Sequence, residues 1–231
     1  MNFMARISFL CFFSLTTVFA EQFSEPDVGT YFYEVSMFNL PIGYGRFQSL
    51  GKKECTLDVK KLCFHFSYAI NFIKLKGIMG QIAILNTVEM NADFKPEYSS
   101  SKYNYQGKRT RYDIIFDYDQ NRITFFNPET KESKFKTLPD DGQTMSSAPI
   151  YAVFQPNLPA KVPVLINENF KIFSVEWLTN GENMTLFVDK EPYMEYNKKD
   201  RNITMIKLMP IRFLGIEFGE ISAKLVKKSK K

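Results

Sequence analysis

Between Cys63 and Ile73 the chain alternates strictly. Phe64, Phe66, Tyr68, Ile70 and Phe72 take every second position, and Cys63, His65, Ser67, Ala69 and Asn71 fall between them. Successive side chains of a β-strand leave opposite faces, so this period of two gathers the bulky apolar groups on one side. A strand of that kind persists only where something covers its apolar face. The pattern recurs at Arg111–Tyr118, where Tyr112, Ile114, Phe116 and Tyr118 oppose Arg111, Asp113 and Asp117. It recurs again at Tyr31, Tyr33, Val35 and Met37, and at Phe173, Val175 and Trp177. The 23 Phe and 12 Tyr of the chain, against one Trp and one His, add to the strand preference. Phe64, Phe66, Tyr68, Phe72, Tyr112, Ile114 and Phe116 are expected to share one buried face, with His65, Asp113 and Asp117 outside it.

Turn residues punctuate these runs. Leu40-Pro41-Ile42-Gly43 reads as a link into Tyr44–Leu50, Asp119-Gln120-Asn121 as a turn into Arg122–Phe126, and Asn180-Gly181 as a tight hairpin before Met184–Asp189. Short links between strands make neighbours antiparallel. Further strands are expected at Ile203–Phe213, where Pro210 points to an edge or a bulge, and at Glu217–Val226. Gly77–Met90 fits a strand or a short helix and reads better as a strand, Thr137–Ser147 reads as a polar loop, and Ala148–Phe154 as a strand or a short helical turn. The fold class is all-β: about ten to twelve strands with few or no helices, closed as an antiparallel β-barrel or packed as a barrel-like sandwich.

The first twenty residues have a different character. Arg6 precedes an apolar run from Ile7 to Phe19, and Val18-Phe19-Ala20 places small residues where a signal peptidase needs them. The run is shorter than a membrane span requires. The expected organisation is therefore a cleavable signal at 1–20, a single all-β domain at 21–226 and a basic C-terminal tail at 227–231. That predicts export to the periplasm or the extracellular space, with no transmembrane segment in the mature chain. Cys11 is not a lipid-attachment site, because Phe9 and Leu10 stand where small residues are needed. The net charge of +5 is mild, and five lysines crowd the end, from Lys224 to Lys231. A solubilising tail accounts for them better than an anionic surface does, since lysines without an apolar face hold a membrane weakly.

Cys55 and Cys63 remain after cleavage. Pairing about Val59 would set them opposite each other in a hairpin, within disulfide reach, and the compartment is oxidising. They are expected to form a disulfide. Two cysteines and one histidine leave a zinc site short of ligands. Asp117-Tyr118-Asp119-Gln120-Asn121 opens like a calcium loop, but Arg122 stands where glycine is required and Pro128 where glutamate is. His65 lies in no catalytic signature and reads as structural. No catalytic, cofactor or metal residue is assigned and no cofactor is expected. Scattered basic residues and core-facing aromatics argue against nucleic acid. Two function classes stay open. One is a non-enzymatic envelope protein holding a lipid or an envelope polymer. The other is an extracytoplasmic hydrolase acting on a glycan or ester through two carboxylates across a cleft.

The ordered pieces resemble a bacterial secreted family, the domain of unknown function numbered 3108. They are Tyr33-Glu34-Val35 followed by Leu40 to Phe47, Phe94 to Tyr98, Gly107-Lys108, Tyr112 to Asp117, Asp140-Asp141 before Ser147 to Phe154, and the closing Pro210 to Val226. The resemblance covers most of 31–226. It implies an envelope-associated all-β domain in a Gram-negative bacterium and carries no activity or catalytic residues. The Cys55–Cys63 segment is not part of that pattern.

Overall fold

The computed structural model describes residues 26–72, 82–105, 107–155, 158–166, 168–208, 212–213, 216–217 and 221–230. The expected signal at 1–20, Pro210 and the first part of the Gly77–Met90 run lie outside the described residues.

Two meanders make one sheet. The first runs through β1 (Gly29–Met37), β2 (Leu40–Glu54), β3 (Leu62–Phe72), β4 (Ile82–Met90), β5 (Pro96–Tyr105), β6 (Lys108–Asp117), β7 (Arg122–Asn127) and β8 (Glu132–Thr137). A short β9 (Gln143–Thr144) and one helix, α1 (Ala148–Phe154), follow. The second meander is β10 (Lys161–Ile166), β11 (Asn169–Asn180), β12 (Asn183–Val188), β13 (Glu191–Asn197) and β14 (Asn202–Leu208). A two-residue ladder, β15 (Arg212–Phe213) with β16 (Ile216–Glu217), precedes β17 (Ile221–Lys230).

β17 joins the meanders by pairing antiparallel with β1 on one side and β14 on the other. The resulting sheet has fifteen strands in the order β8-β7-β6-β5-β4-β3-β2-β1-β17-β14-β13-β12-β11-β10-β9. Every pairing is antiparallel except β9 with β10. The sheet is not closed by hydrogen bonds, since β8 and β9 end it. It curls until its ends meet through side chains: Leu165 of β10 packs with Phe116, Ile123 and Leu138 from the β6–β8 end. Lys136 of β8 donates to the Glu168 carbonyl and, at 3.1 Å, to Asn169 Oδ1. The protein is all-β and barrel-like, with more strands than the sequence pattern counts. The strands that pattern misses are β5, β8, β9, β10 and β13, while β15 and β16 fall at the facing ends of the expected Ile203–Phe213 and Glu217–Val226 runs. β5 carries a serine run and β8 is exposed along most of its length, so neither shows an apolar alternation.

Several boundaries differ from the sequence reading. The turn from β1 to β2 is made by Phe38 and Asn39, both with positive φ (49° and 61°), and not by Leu40–Gly43. Two consecutive positive φ values match the right-handed twist of a hairpin. Pro41 lies inside β2, where the register shifts opposite Val35 and Ser36, so its missing N–H disrupts no regular ladder. The C-terminal lysines are not a frayed tail: Lys227 and Lys228 pair with Phe32 and Tyr31 inside the sheet. Lys228 Nζ sits 5.3 Å from the Tyr31 ring centroid and donates to the Asp200 carbonyl at 2.7 Å.

Thr137–Ser147 is not a solvated loop either. Leu138, Gly142, Gln143, Thr144 and Ser147 are buried, leading into α1. Its polar groups tolerate burial by bonding one another, since Ser147 Oγ accepts the Thr144 N–H at 2.8 Å and Thr144 Oγ1 accepts the Ser147 N–H at 3.0 Å. α1 has no polar face, and Pro149 through Val153 are all buried. A helix apolar all round belongs inside a protein, and this one fills the concave side of the sheet. Ile150 and Tyr151 pack on Phe64, Phe66, Val88 and Met90, while Ala152 and Val153 pack on Met184, Leu186, Met194 and Tyr196. The rings of Phe64, Phe94 and Phe154 stack in series at 4.9 and 5.1 Å, which holds Phe94 in a left-handed conformation (φ 54°) that a bulky residue otherwise avoids.

Candidate functional site

Because α1 is short, it does not fill the curled sheet, and a pocket remains on each of two sides. The first lies between α1 and β10–β13 and takes in about 480 Å³, including space open to solvent. Ala148, Tyr151 and Ala152 form its helix wall, with Val162, Phe173 and Leu186 opposite. Among the described residues, no charged side chain lines it. At one side Trp177 Nε1 donates to the Ala152 carbonyl at 3.2 Å and ties α1 to β11. Tyr193, from β13, also lines this pocket; burial pushes its hydroxyl up to about 12, so it stays a neutral donor.

The second pocket, about 440 Å³ including its open part, lies across α1 from the first. Ile150, Val153 and Phe154 form its helix wall. Tyr31, Tyr33 and Phe47 come from β1 and β2, and Tyr196 and Asn202 from the β13–β14 side. Its mouth carries Asp27 and Arg201, 3.5 Å apart. Tyr33 donates from its hydroxyl to the Ile203 carbonyl at 3.0 Å. The hydroxyls of Tyr31 and Tyr33 both titrate above the ordinary tyrosine range. Burial is the main cause in each; for Tyr31 the carboxylate of Asp27 adds to it and Arg201 opposes it.

The outer face of β3–β6 holds a polar cluster. Glu89 is buried, accepting the Thr56 N–H at 2.7 Å and the Thr56 hydroxyl. The Cys55–Cys63 disulfide is formed, with Cα atoms 5.1 Å apart. The cysteines are not a direct cross-strand pair: Cys63 pairs with Lys53, and the Cys55 N–H donates to the Lys61 carbonyl at 3.0 Å. The stapled loop is thus pinned to the sheet by Glu89. His65 lies beside it, its Nε2 donating to the Glu54 carbonyl at 3.1 Å and its Nδ1 3.7 Å from Glu89.

Two residues depart from the expected faces. Tyr112 is 45% exposed although it lies on the same face of β6 as Phe116. Asp113, expected outside the core, is 6% exposed. A bidentate pairing makes that burial tolerable: Arg111 Nε and Nη2 donate to its two carboxylate oxygens at 2.9 and 2.8 Å, and Arg111 also donates to the Tyr98 hydroxyl. Asp117 caps its turn by accepting the Gln120 N–H at 3.0 Å. Among the described residues, no three His, Cys, Asp or Glu side chains gather where a metal ion would be held. No helix among them is long and apolar enough to cross a membrane. The polar pocket residues that sequence reasoning missed are Ser49 and Asn202. Their only signal was a polar residue at an inward strand position.

No family model and no curated protein sequence matches this chain. Among solved structures, it is similar to the crystal structure of a β-barrel-like protein of the domain of unknown function DUF1849 from Brucella abortus. That similarity has a TM-score of 0.49 at 10% identity and covers 90% of this chain and 100% of the other.

Proposed function

We propose that the protein is an exported, non-enzymatic envelope component that holds an apolar or amphipathic ligand in the pocket between α1 and β10–β13. The observation behind this reading is the wall of that pocket: aliphatic and aromatic side chains with no charge, beside a helix that is itself wholly apolar. Such a surface gains by excluding water from a hydrocarbon group, and the phenol of Tyr193 offers a neutral hydrogen bond to a polar end. The disulfide fits an oxidising compartment. The likeness to family 3108 and the signal at 1–20 belong to the same proposal. A hydrolase working through two carboxylates is less well supported: among the described residues the apolar pocket is lined by no acid and the second by Asp27 alone, which is engaged with Arg201.

Native mass spectrometry and lipid extraction of the protein purified from its own host test this directly. The expected result is a bound molecule of low polarity that Ala148→Phe, which fills the pocket mouth, displaces. Protein that carries nothing and takes up no long-chain alcohol or fatty acid would refute ligand binding. N-terminal sequencing of the exported form should read Glu21-Gln22-Phe23-Ser24.

A further inference from the structure

The second pocket differs from the first in chemistry as well as position. Two of its lining side chains are polar, at least nine-tenths buried and without a partner: Ser49 (3% exposed) through Oγ and Asn202 (8% exposed) through Oδ1. Buried polar atoms are almost always hydrogen-bonded, because an unmet group keeps its full desolvation cost. Other buried polar atoms among the described residues also lack a partner, Tyr68 Oη, Asn86 Oδ1, Ser100 Oγ, Arg122 Nε and Gln143 Oε1, but only Ser49 and Asn202 line either pocket, and they line the same one, which marks it as a place that something else completes.

We propose that this pocket is a second binding site, built for a neutral, hydroxyl-bearing ring such as a single sugar residue. Asn202 Oδ1 is an acceptor and needs a donor; Ser49 Oγ takes either role. A hydroxyl group supplies both. The faces of Tyr31, Phe47 and Phe154 give the C–H side of a ring an apolar surface to rest on. Asp27 and Arg201 at the mouth offset each other's charge, so the pocket selects neither anions nor cations. A hydrocarbon would leave Ser49 and Asn202 unmet, and a bare anion would bring no donor to Asn202. Local backbone geometry positions both groups. Ser49 immediately precedes the register shift in β2 between Ser49 and Lys52, and Asn202 follows Arg201, whose φ is 51°. This site lies across α1 from the apolar pocket, and neither reading depends on the other.

The test uses the full exported protein with its disulfide intact. Methyl β-glucoside, methyl β-galactoside and N-acetylglucosamine are the neutral probes; glucose 6-phosphate is the anionic control and 1-octanol the apolar one. Saturation-transfer NMR should show contact between the tyrosine and phenylalanine protons and the ring C–H protons of at least one neutral sugar. Ser49→Ala should weaken that binding by about tenfold, the worth of one hydrogen bond. It should leave octanol binding unchanged and leave the Tm of the empty protein unchanged or higher, because the hydroxyl has no partner to lose. Asn202→Leu should abolish sugar binding; if that variant does not fold, Ser49→Ala alone decides. The proposal fails if no neutral sugar binds, if glucose 6-phosphate binds more tightly, or if Ser49→Ala binds sugar as the parent does. It also fails if Ser49→Ala lowers the Tm, which would show the hydroxyl to be structural.

Discussion

β3 and β6 carry nearly the same alternating pattern and meet different fates. In β3 the apolar face is covered as expected, with Phe64, Phe66 and Phe72 buried; on the other face His65 is partly exposed, while Cys63 and Ser67 are buried. In β6 the same face buries Phe116 and leaves Tyr112 exposed, while Asp113 on the opposite face is buried. The difference is in what covers each strand. The inner face of β3 lies against α1, which packs on Phe64 and Phe66. In β6, Phe116 packs with Ile123, Leu138 and Leu165 where the ends of the sheet meet, and Tyr112 lies beyond that cluster. Alternation therefore states which side chains share a face. It does not state which face, or how much of it, is covered.

The largest expected effect tests that contrast. Phe66→Ala should cost about 3–5 kcal/mol, since the ring is 1% exposed and stacks on Phe47 at 5.9 Å. Tyr112→Ala should cost no more than about 0.5 kcal/mol, as exposed positions do. Urea unfolding of both variants decides it, and equal losses would mean that the two strands are covered alike.

Removing the staple comes next. Replacing both Cys55 and Cys63 by Ser should cost about 2–3 kcal/mol in the chain-entropy model for so short a loop. Hydrogen exchange should then speed up first at Thr56, whose N–H bonds Glu89. Protection at Thr56 that survives reduction would show that Glu89 holds the loop without the disulfide.

Asp113 and Asp117 sharpen the β6 half of the comparison. Asp113→Ala strands the guanidinium of Arg111 beside a buried site and should cost about 1–2 kcal/mol. The half-exposed Asp117 should cost about 0.5 kcal/mol or less when changed to Ala, because its pairing with Arg122 is long and wet. Comparable thermal shifts for the two would remove the claim that Asp113 is part of the packed structure.

The smallest effect at neutral pH is that of the interior tyrosines, which is nil there and grows in alkali. Tyr33, Tyr68 and Tyr193 all titrate above the ordinary value of 10.0, and Tyr193 does so at about 12. A raised folded value means that the native state holds its proton more tightly than the unfolded chain. The stabilisation is therefore complete below pH 10 and is lost as pH rises from there toward and through the folded values. Absorbance at 295 nm should show a cooperative late step, from the buried tyrosines, that coincides with unfolding. A single smooth titration of all tyrosines in folded protein would contradict a closed interior.

The local pattern alone determined the fold class, the antiparallel neighbours, the Asn180-Gly181 hairpin and the residues sharing the inner face of β3. Each follows from side-chain period or turn chemistry, which act within a few residues. The Cys55–Cys63 pairing was legible for the same reason, their separation being short. The position of Ala148–Phe154 was decided only in three dimensions: its apolar residues fit a strand or a helix equally well, and the concave sheet with room for one buried cylinder selects the helix. The burial of Thr137–Ser147, the place of the terminal lysines inside the sheet and the meeting of Ser49 with Asn202 in one pocket are likewise tertiary. Those residues lie far apart along the chain, and only the curling of a fifteen-stranded sheet around α1 brings them together. A polar side chain at one inward position has no local partner to announce it, so period and composition pass over the groups that line the second pocket.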